Sequence, residues 1–281
     1  MMMTRRTATS LFAAWTSVAT LAGCPPDAPT PPDPSMSSGE AVLPRTYTCL
    51  RAAGEVVVDG RLDDDPWRRA PWTETFVDIE GAARPRPRFP TRAKLLWDDE
   101  FLYIGAAMED PHVWGTLTEH DEVVYHDNDF EIFIDPDGDR AEYYEIEINA
   151  LGTIFDLLLV RTYIDGGPAL HDWTATGLQS AVHVDGTLND PSDADRGWSV
   201  EFAIPWSTLA EYARRPAPPR DGDVWRINFS RVQWQHDIVD GTYRKRPDTP
   251  EDNWVWSPQG TINMHLPEHW GFVVFADRTD L

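Results

Sequence analysis

Between residues 93 and 149 the chain alternates apolar and polar positions with a period of two, the pattern of strands whose side chains point to opposite faces. Residues 93–97 and 101–108 flank Asp98-Asp99-Glu100, and residues 129–135 and 142–149 flank Pro136-Asp137-Gly138-Asp139. Each pair reads as a β-hairpin, because Asp and Gly adopt the turn conformations that join antiparallel strands. Further strands are predicted at 197–204, 224–230 and 271–275. Upstream, Val56-Val57-Val58 reads as a short strand entering a turn at Asp59-Gly60, with Asp65 as N-cap and Pro66 as first residue of a helical turn carrying Trp67. Thr208-Leu209-Ala210-Glu211 has the spacing of a capping box, and Pro216 stops that helix. Many short strands and one short helix predict an all-β fold, a two-sheet antiparallel β-sandwich of jelly-roll or immunoglobulin-like kind.

The same period sorts the side chains by face. Phe130, Ile132 and Ile134 share one side of their strand, while Glu131, Phe133 and Asp135 share the other. On the partner strand Tyr144, Ile146 and Ile148 oppose Tyr143, Glu145, Glu147 and Asn149, and residues 225–230 add Arg226, Asn228 and Ser230 to the polar side. One face is core, and the other is a hydrogen-bonding surface of acids, amides and aromatics. Two plainer or rival readings of those acids stand beside this one. They are a solvated sheet face in an acidic protein, or the acid and nucleophile of a glycoside hydrolase, although no motif sets one carboxylate apart.

The N-terminal residues break the pattern. Arg5 and Arg6 precede an apolar run, 11–19, that closes on Leu21-Ala22-Gly23-Cys24. The run is too short to span a bilayer, and the small residues suit cleavage before Cys24, whose thiol would carry a lipid. Residues 1–23 are therefore expected to be a lipoprotein signal peptide, with Cys24 lipidated and holding the protein to a membrane of the cell envelope. Pro25 lacks the aspartate that retains lipoproteins at an inner membrane, so the outer membrane is the expected site in a cell with two. Residues 24–44, rich in proline and then serine, read as a tether, and 45–281 as one domain with no second linker or internal repeat. Cys49 is the other cysteine, so with Cys24 acylated no intramolecular disulfide is expected. The formal net charge is −23, and loss of residues 1–23 removes two arginines and no acids. That balance disfavours nucleic acid and anionic lipid as partners, and permits cations and neutral polar ligands such as sugars.

In chain order, DGRLDDDPWRRA (59–70), AKLLWDDEFLYIGAAMED (93–110), DNDFEIFIDPDGD (127–139), YYEIEIN (143–149), GWSVEFAIPW (197–206) and the closing WSPQG to HWGFVVF (256–275) resemble the carbohydrate-binding module family 9 domains and their bacterial lipoprotein relatives. The resemblance implies a sandwich of two antiparallel sheets, structural calcium, and recognition of sugar chains held between two tryptophans. It also implies a glutamate, an amide and basic side chains bonded to the sugar hydroxyls. By motif position Glu131 falls on the ligand glutamate and Asn149 on a ligand asparagine. Tyr125, six residues before Glu131, and Met264 stand where the clamp tryptophans are expected, and Glu147 stands where a basic residue is expected. Arg226 is a further candidate helper. Trp114, Trp254 and Trp256, in predicted loops, are alternative aromatic platforms.

Asp135, Asp137 and Asp139 do not make an EF-hand, because Gly138 is one place early and no acid occupies the twelfth position. They read either as an oxygen-rich calcium site or as an Asp-rich hairpin turn. His126, His265 and His269 are too scattered for zinc. The whole points to non-catalytic carbohydrate binding by a lipid-anchored envelope protein, with a polysaccharide or oligosaccharide as ligand and a glycoside hydrolase as partner in its capture or breakdown. Rival readings are haem b electron transfer on the same sandwich, through Met108 or Met264 with a histidine, a glycoside hydrolase, and a surface scaffold with no small ligand.

Overall fold

The computed structural model describes residues 43–280. The expected signal peptide, Cys24 and nearly all of the expected tether lie outside the described residues. Fifteen strands follow one another: β1 (Thr46–Arg51), β2 (Val77–Asp78), β3 (Thr91–Trp97), β4 (Phe101–Glu109), β5 (Asp129–Asp135), β6 (Ala141–Asn149), β7 (Ile154–Arg161), β8 (Ala169–Leu170), β9 (Gln179–Asp185), β10 (Gly197–Pro205), β11 (Val224–Gln233), β12 (His236–Val239), β13 (Thr242–Lys245), β14 (Asp252–Val255) and β15 (Gly271–Ala276). Two short helices, α1 (Asp65–Arg69) and α2 (Trp206–Leu209), interrupt them.

Thirteen of the strands form one continuous sheet in the order β8-β7-β6-β5-β11-β15-β1-β3-β4-β10-β9, with β14 on β11 and β2 on β14, while β12 and β13 pair separately. Apolar side chains from the two arms of this path meet in one core. Phe130, Ile132, Ile134, Tyr144, Ile146, Ile148, Ile227 and Phe229 come from one arm, and Leu95, Leu102, Ile104, Val200, Phe202 and Ile204 from the other. The sheet is thus a two-layer sandwich. The layers are joined through β1, which pairs in parallel with β15 along Thr46–Leu50 and with β3 at Leu50 and Arg51. That join departs from the expected pair of separate, wholly antiparallel sheets.

Local differences have local causes. The predicted strand at Val56-Val57-Val58 is irregular, and Asp64 caps it by accepting the Val57 N–H at 2.8 Å. Helix α1 follows Asp64 rather than Asp65 as N-cap, and α2 begins at Trp206 behind Pro205, ahead of the predicted capping box. The Asp59-Gly60 turn is fixed by Glu201 of β10. Its Oε2 accepts both turn N–H groups, at 2.9 and 2.6 Å, and its Oε1 accepts the Trp67 indole N–H at 2.5 Å. Gly60 is required there: its φ is +85° and a Cβ would lie 2.6 Å from the backbone of His183.

Candidate functional site

The registers of β5, β6, β7, β11 and β14 set the polar face of the first layer. Glu131 is opposite Glu147 on one side and Ser230 on the other, while Glu147 is opposite Phe155 and Ser230 opposite Val255. Residues directly opposite in antiparallel strands share a face, so Phe155, Glu147, Glu131, Ser230 and Val255 form one transverse row. Asp129 lies one step along β5 and Glu145 one step along β6 on the same side.

These acids are not on a solvated face. Exposure is 0% for Asp129, 6% for Glu131, 5% for Glu145 and 2% for Glu147. A second apolar cluster, including Val124, Phe155, Leu157, Val255, Met264 and Trp270, packs on this side of the sheet. Burial raises the pKa of Glu131 to about 7, and burial together with the Glu131 charge raises that of Glu145 to about 8. Glu147 and Asp129 are pushed well above the carboxylate range, first by burial and then by Glu131. Among the described residues no ion pair reaches any of the four. Carboxylate oxygens of Asp129, Glu131 and Glu147 come within 4.8 Å of one another. Asp129 Oδ1 accepts the Val232 N–H at 3.1 Å while its Oδ2 has no hydrogen-bond partner, and the Ser230 hydroxyl opposite Glu131 acts on that carboxyl against the effect of burial.

The loop before β5 brings an aromatic edge to this floor. Tyr125 donates its backbone N–H to Glu147 Oε2 at 3.0 Å, and its carbonyl accepts the Trp234 indole N–H at 2.8 Å. The residue is 40% exposed. Tyr163, 52% exposed, lies near enough to Glu145, Glu147 and Tyr125 that, after partial burial, their charges raise its hydroxyl pKa. Lys245 Nζ sits 3.8 Å from the Trp234 ring centroid. Burial lowers its pKa while Asp127, Glu251 and Asp129 act against that shift. Asp127 holds the loop: it accepts the N–H groups of Thr116 and Leu117 at 2.7 and 2.9 Å, the Thr116 hydroxyl at 2.8 Å and the Asn149 amide at 3.0 Å.

Several expected site residues are placed elsewhere. Asn149 is fully buried and fully used: its Oδ1 accepts the Leu151 and Thr153 N–H groups, and its Nδ2 donates to the Leu117 carbonyl and to Asp127. It positions the Tyr125 loop and has no donor or acceptor left for a ligand. Arg226 is opposite Asp135, four positions from the Glu131–Ser230 pair, about 13 Å along the strand. Its guanidinium donates to the Trp270 carbonyl and covers Phe272, so it is no part of the Glu131 cluster. Met264 is packed beside Trp270, whose indole donates to the Met264 carbonyl at 2.8 Å. The tryptophan platforms are corrected outright. Trp114 stacks on Tyr243, Trp254 packs under Arg231 and against Phe89, and Trp256 packs on Tyr47 and Phe229, all at 3% exposure or less. Met108 lies in the inter-layer core.

The hairpin acids Asp135, Asp137 and Asp139 also bring ligand atoms within 4.8 Å of one another. Turn closure already engages them. The two oxygens of Asp135 accept the Gly138 and Arg140 N–H groups, Asp137 accepts that of Asp139, and Asp139 accepts that of Ala141. Arg214 adds a cation to Asp139 at 3.7 Å. This set fits a self-sufficient turn better than a resident calcium ion. Sequence reasoning passed over Tyr163, Trp234 and Lys245 as site residues. Tyr163 and Trp234 lie in irregular segments and Lys245 ends the short strand β13, so no period singles them out.

Residues 58–259 match the family model for carbohydrate family 9 binding domain-like proteins. Among curated relatives, an exoglucanase of Acetivibrio thermocellus is 27% identical over 175 residues, which is 61% of this chain and 13% of that enzyme. The chain therefore corresponds to about an eighth of that relative's length. A family 9 carbohydrate-binding module from Caldicellulosiruptor kristjanssonii, solved in complex with cellotriose, superposes with a TM-score of 0.54 at 18% identity, covering 83% of this chain and 95% of that one. A protein from Bacteroides uniformis superposes with a TM-score of 0.59 at 16% identity, covering 83% and 99%.

Proposed function

Since the chain belongs to the carbohydrate family 9 binding domain-like family, we propose that the Glu131 site holds a saccharide without cleaving it. The observation that carries this is the Glu147–Glu131–Ser230 row beside the exposed rings of Tyr125 and Tyr163. Carboxylates and a hydroxyl accept directional bonds from sugar hydroxyls, and aromatic faces cover the apolar C–H face of a pyranose. The matched enzyme relatives share with this chain only a stretch the size of a binding module, which supports binding rather than bond cleavage as its task. With the lipoprotein-like N-terminal sequence, the reading is of an envelope protein that keeps a polysaccharide close to the cell or to a partner glycoside hydrolase.

A glycan array followed by calorimetric titration of the hits and of cellotriose tests the site. Glu131→Ala should weaken binding at least tenfold, about 1.4 kcal/mol. Tyr125→Ala should weaken it by roughly three- to tenfold through lost stacking. An array with no hit, or a Glu131→Ala protein that binds as wild type, would sink the assignment.

A further inference from the structure

Among the described residues the β12–β13 hairpin pairs with no strand of the main sheet, and it forms one wall of a cleft of about 250 Å³. Phe89, Trp234, His112 and His236 give the cleft its rings, and the buried side chains of Asp110 and Gln233 give it a floor. The floor is fixed: Arg231 and Gln233 both donate to Asp110 Oδ2 at 3.3 Å, and Arg231 donates to Gln233 Oε1 at 2.6 Å. The hairpin is fixed as well. His236 packs edge-on against His112 and Tyr243, with ring centroids 4.9 and 5.1 Å apart, and Trp114 stacks on Tyr243.

The chemistry of this lining selects among ligands. Arg88 is paired with Asp252 at 2.5 Å and Arg246 with Asp237 at 2.8 Å, so each guanidinium already has a carboxylate and neither is left for an anion. Among the described residues no third histidine, cysteine or carboxylate comes near enough to His112 and His236 to complete a metal site. Burial, and then His112 beside it, lowers the pKa of His236, which keeps that ring uncharged at neutral pH. The Tyr243 hydroxyl donates to the Asp190 carbonyl at 3.3 Å, so His112 Nδ1, 3.1 Å from that hydroxyl, is the donor between them and its Nε2 is left as an acceptor. Uncharged rings with a few directional polar atoms fit a neutral, polyhydroxylated ring, and the volume accepts one pyranose.

Trp234 joins this cleft to the Glu131 site. Its indole N–H is held by the Tyr125 carbonyl at 2.8 Å, and Lys245, directly opposite His236 in the hairpin, sets its Nζ 3.8 Å from the Trp234 ring centroid. We propose that the cleft is a second subsite of one extended saccharide site, with Trp234 as the wall between the two, so that the domain grips several consecutive units of a sugar chain rather than a single terminal sugar. The inference rests on the carbohydrate reading and adds a chain-length requirement to it.

Calorimetric titration of the purified protein with cellobiose, cellotriose and cellopentaose tests this, with the imidazole resonances of His112 and His236 followed by NMR. Affinity should rise at least tenfold from cellobiose to cellopentaose, because the second contact is made within one bound chain. Cellopentaose should shift both imidazoles and cellobiose should not. His236→Ala should bring the affinity ratio near one while the protein still melts cooperatively; should that variant not fold, the wild-type resonances decide. Equal affinities for cellobiose and cellopentaose, or imidazoles unmoved at saturating cellopentaose, sink the inference and leave the carbohydrate reading standing. If none of the three binds while the glycan array scores hits, the inference alone falls. If the array is empty as well, both fall.

Discussion

Glu147 and Glu131 face each other across two hydrogen-bonded strands with Asp129 alongside, an arrangement that works against folding. Like charges directly opposite on a sheet destabilise it, and burial sharpens the repulsion. Glu147→Gln keeps an acceptor for the Tyr125 N–H and removes one titratable carboxyl from the buried cluster, so the ligand-free variant should gain stability over wild type as the pH rises and the cluster is forced to ionise. Denaturant unfolding monitored by tryptophan fluorescence reads this directly, and a destabilised variant would mean that Glu147 is neutral or compensated. At this scale the sequence told which side chains share a face but not what covers them. Alternation placed Glu131, Glu145 and Glu147 together, whereas the apolar cluster on their side of the sheet draws on Val124 just upstream and on Val255, Met264 and Trp270 more than a hundred residues later. The same gap misassigned Trp114, Trp254 and Trp256, since an irregular segment reads as exposed until its neighbours are known.

The loop between β4 and β5 is the element on which the proposed site depends, because it carries Tyr125 and is held by Asp127 and Asn149. Asp127→Ala leaves the Thr116 and Leu117 N–H groups and the Asn149 amide short of an acceptor. The expected result is a loss of about 1–3 kcal/mol of stability and a several-fold loss of sugar affinity. Faster amide hydrogen exchange confined to Thr116 and Leu117 would locate the change, and unaltered exchange there would exclude Asp127 as the clasp. Elements with clean alternation were legible almost to the residue: β5 was predicted at its observed bounds, and β3, β4, β6 and β10 within two residues. Strand β7 was missed because its IFDLLLVR run is apolar on both faces. Strand β9 was missed because it is a half-exposed edge with weak contrast. The Val56-Val57-Val58 run has strand propensity but no strand partner, and propensity alone does not make a strand.

For the whole molecule the buried acids set the pH response. Glu131, Asp135 and Glu145 hold their protons to about 7, 7 and 8 in the folded domain, against about 4 in an unfolded chain. Groups whose acidity is weakened by folding contribute stability that is fully present below the unfolded value and lost as pH rises through the folded one. Without ligand, the melting temperature should therefore fall between pH 5 and pH 8, by roughly 5–10 °C. Differential scanning calorimetry in low-salt buffers measures this, and a flat or rising profile would contradict the burial described. The sandwich architecture itself was plain in the sequence, from strand count and turn spacing. The joining role of β1 was not, because TYTCLR carries no sign that it pairs in parallel on both sides.

That join gives the domain a mechanical character. Tension entering at residue 45 reaches β1 first, and β1 is bonded to β15 on one edge and to β3 on the other. Extracting it means rupturing both seams, so β1 acts as a keystone, and a load taken up on β5 spreads into both layers before it reaches the chain that leads into the domain.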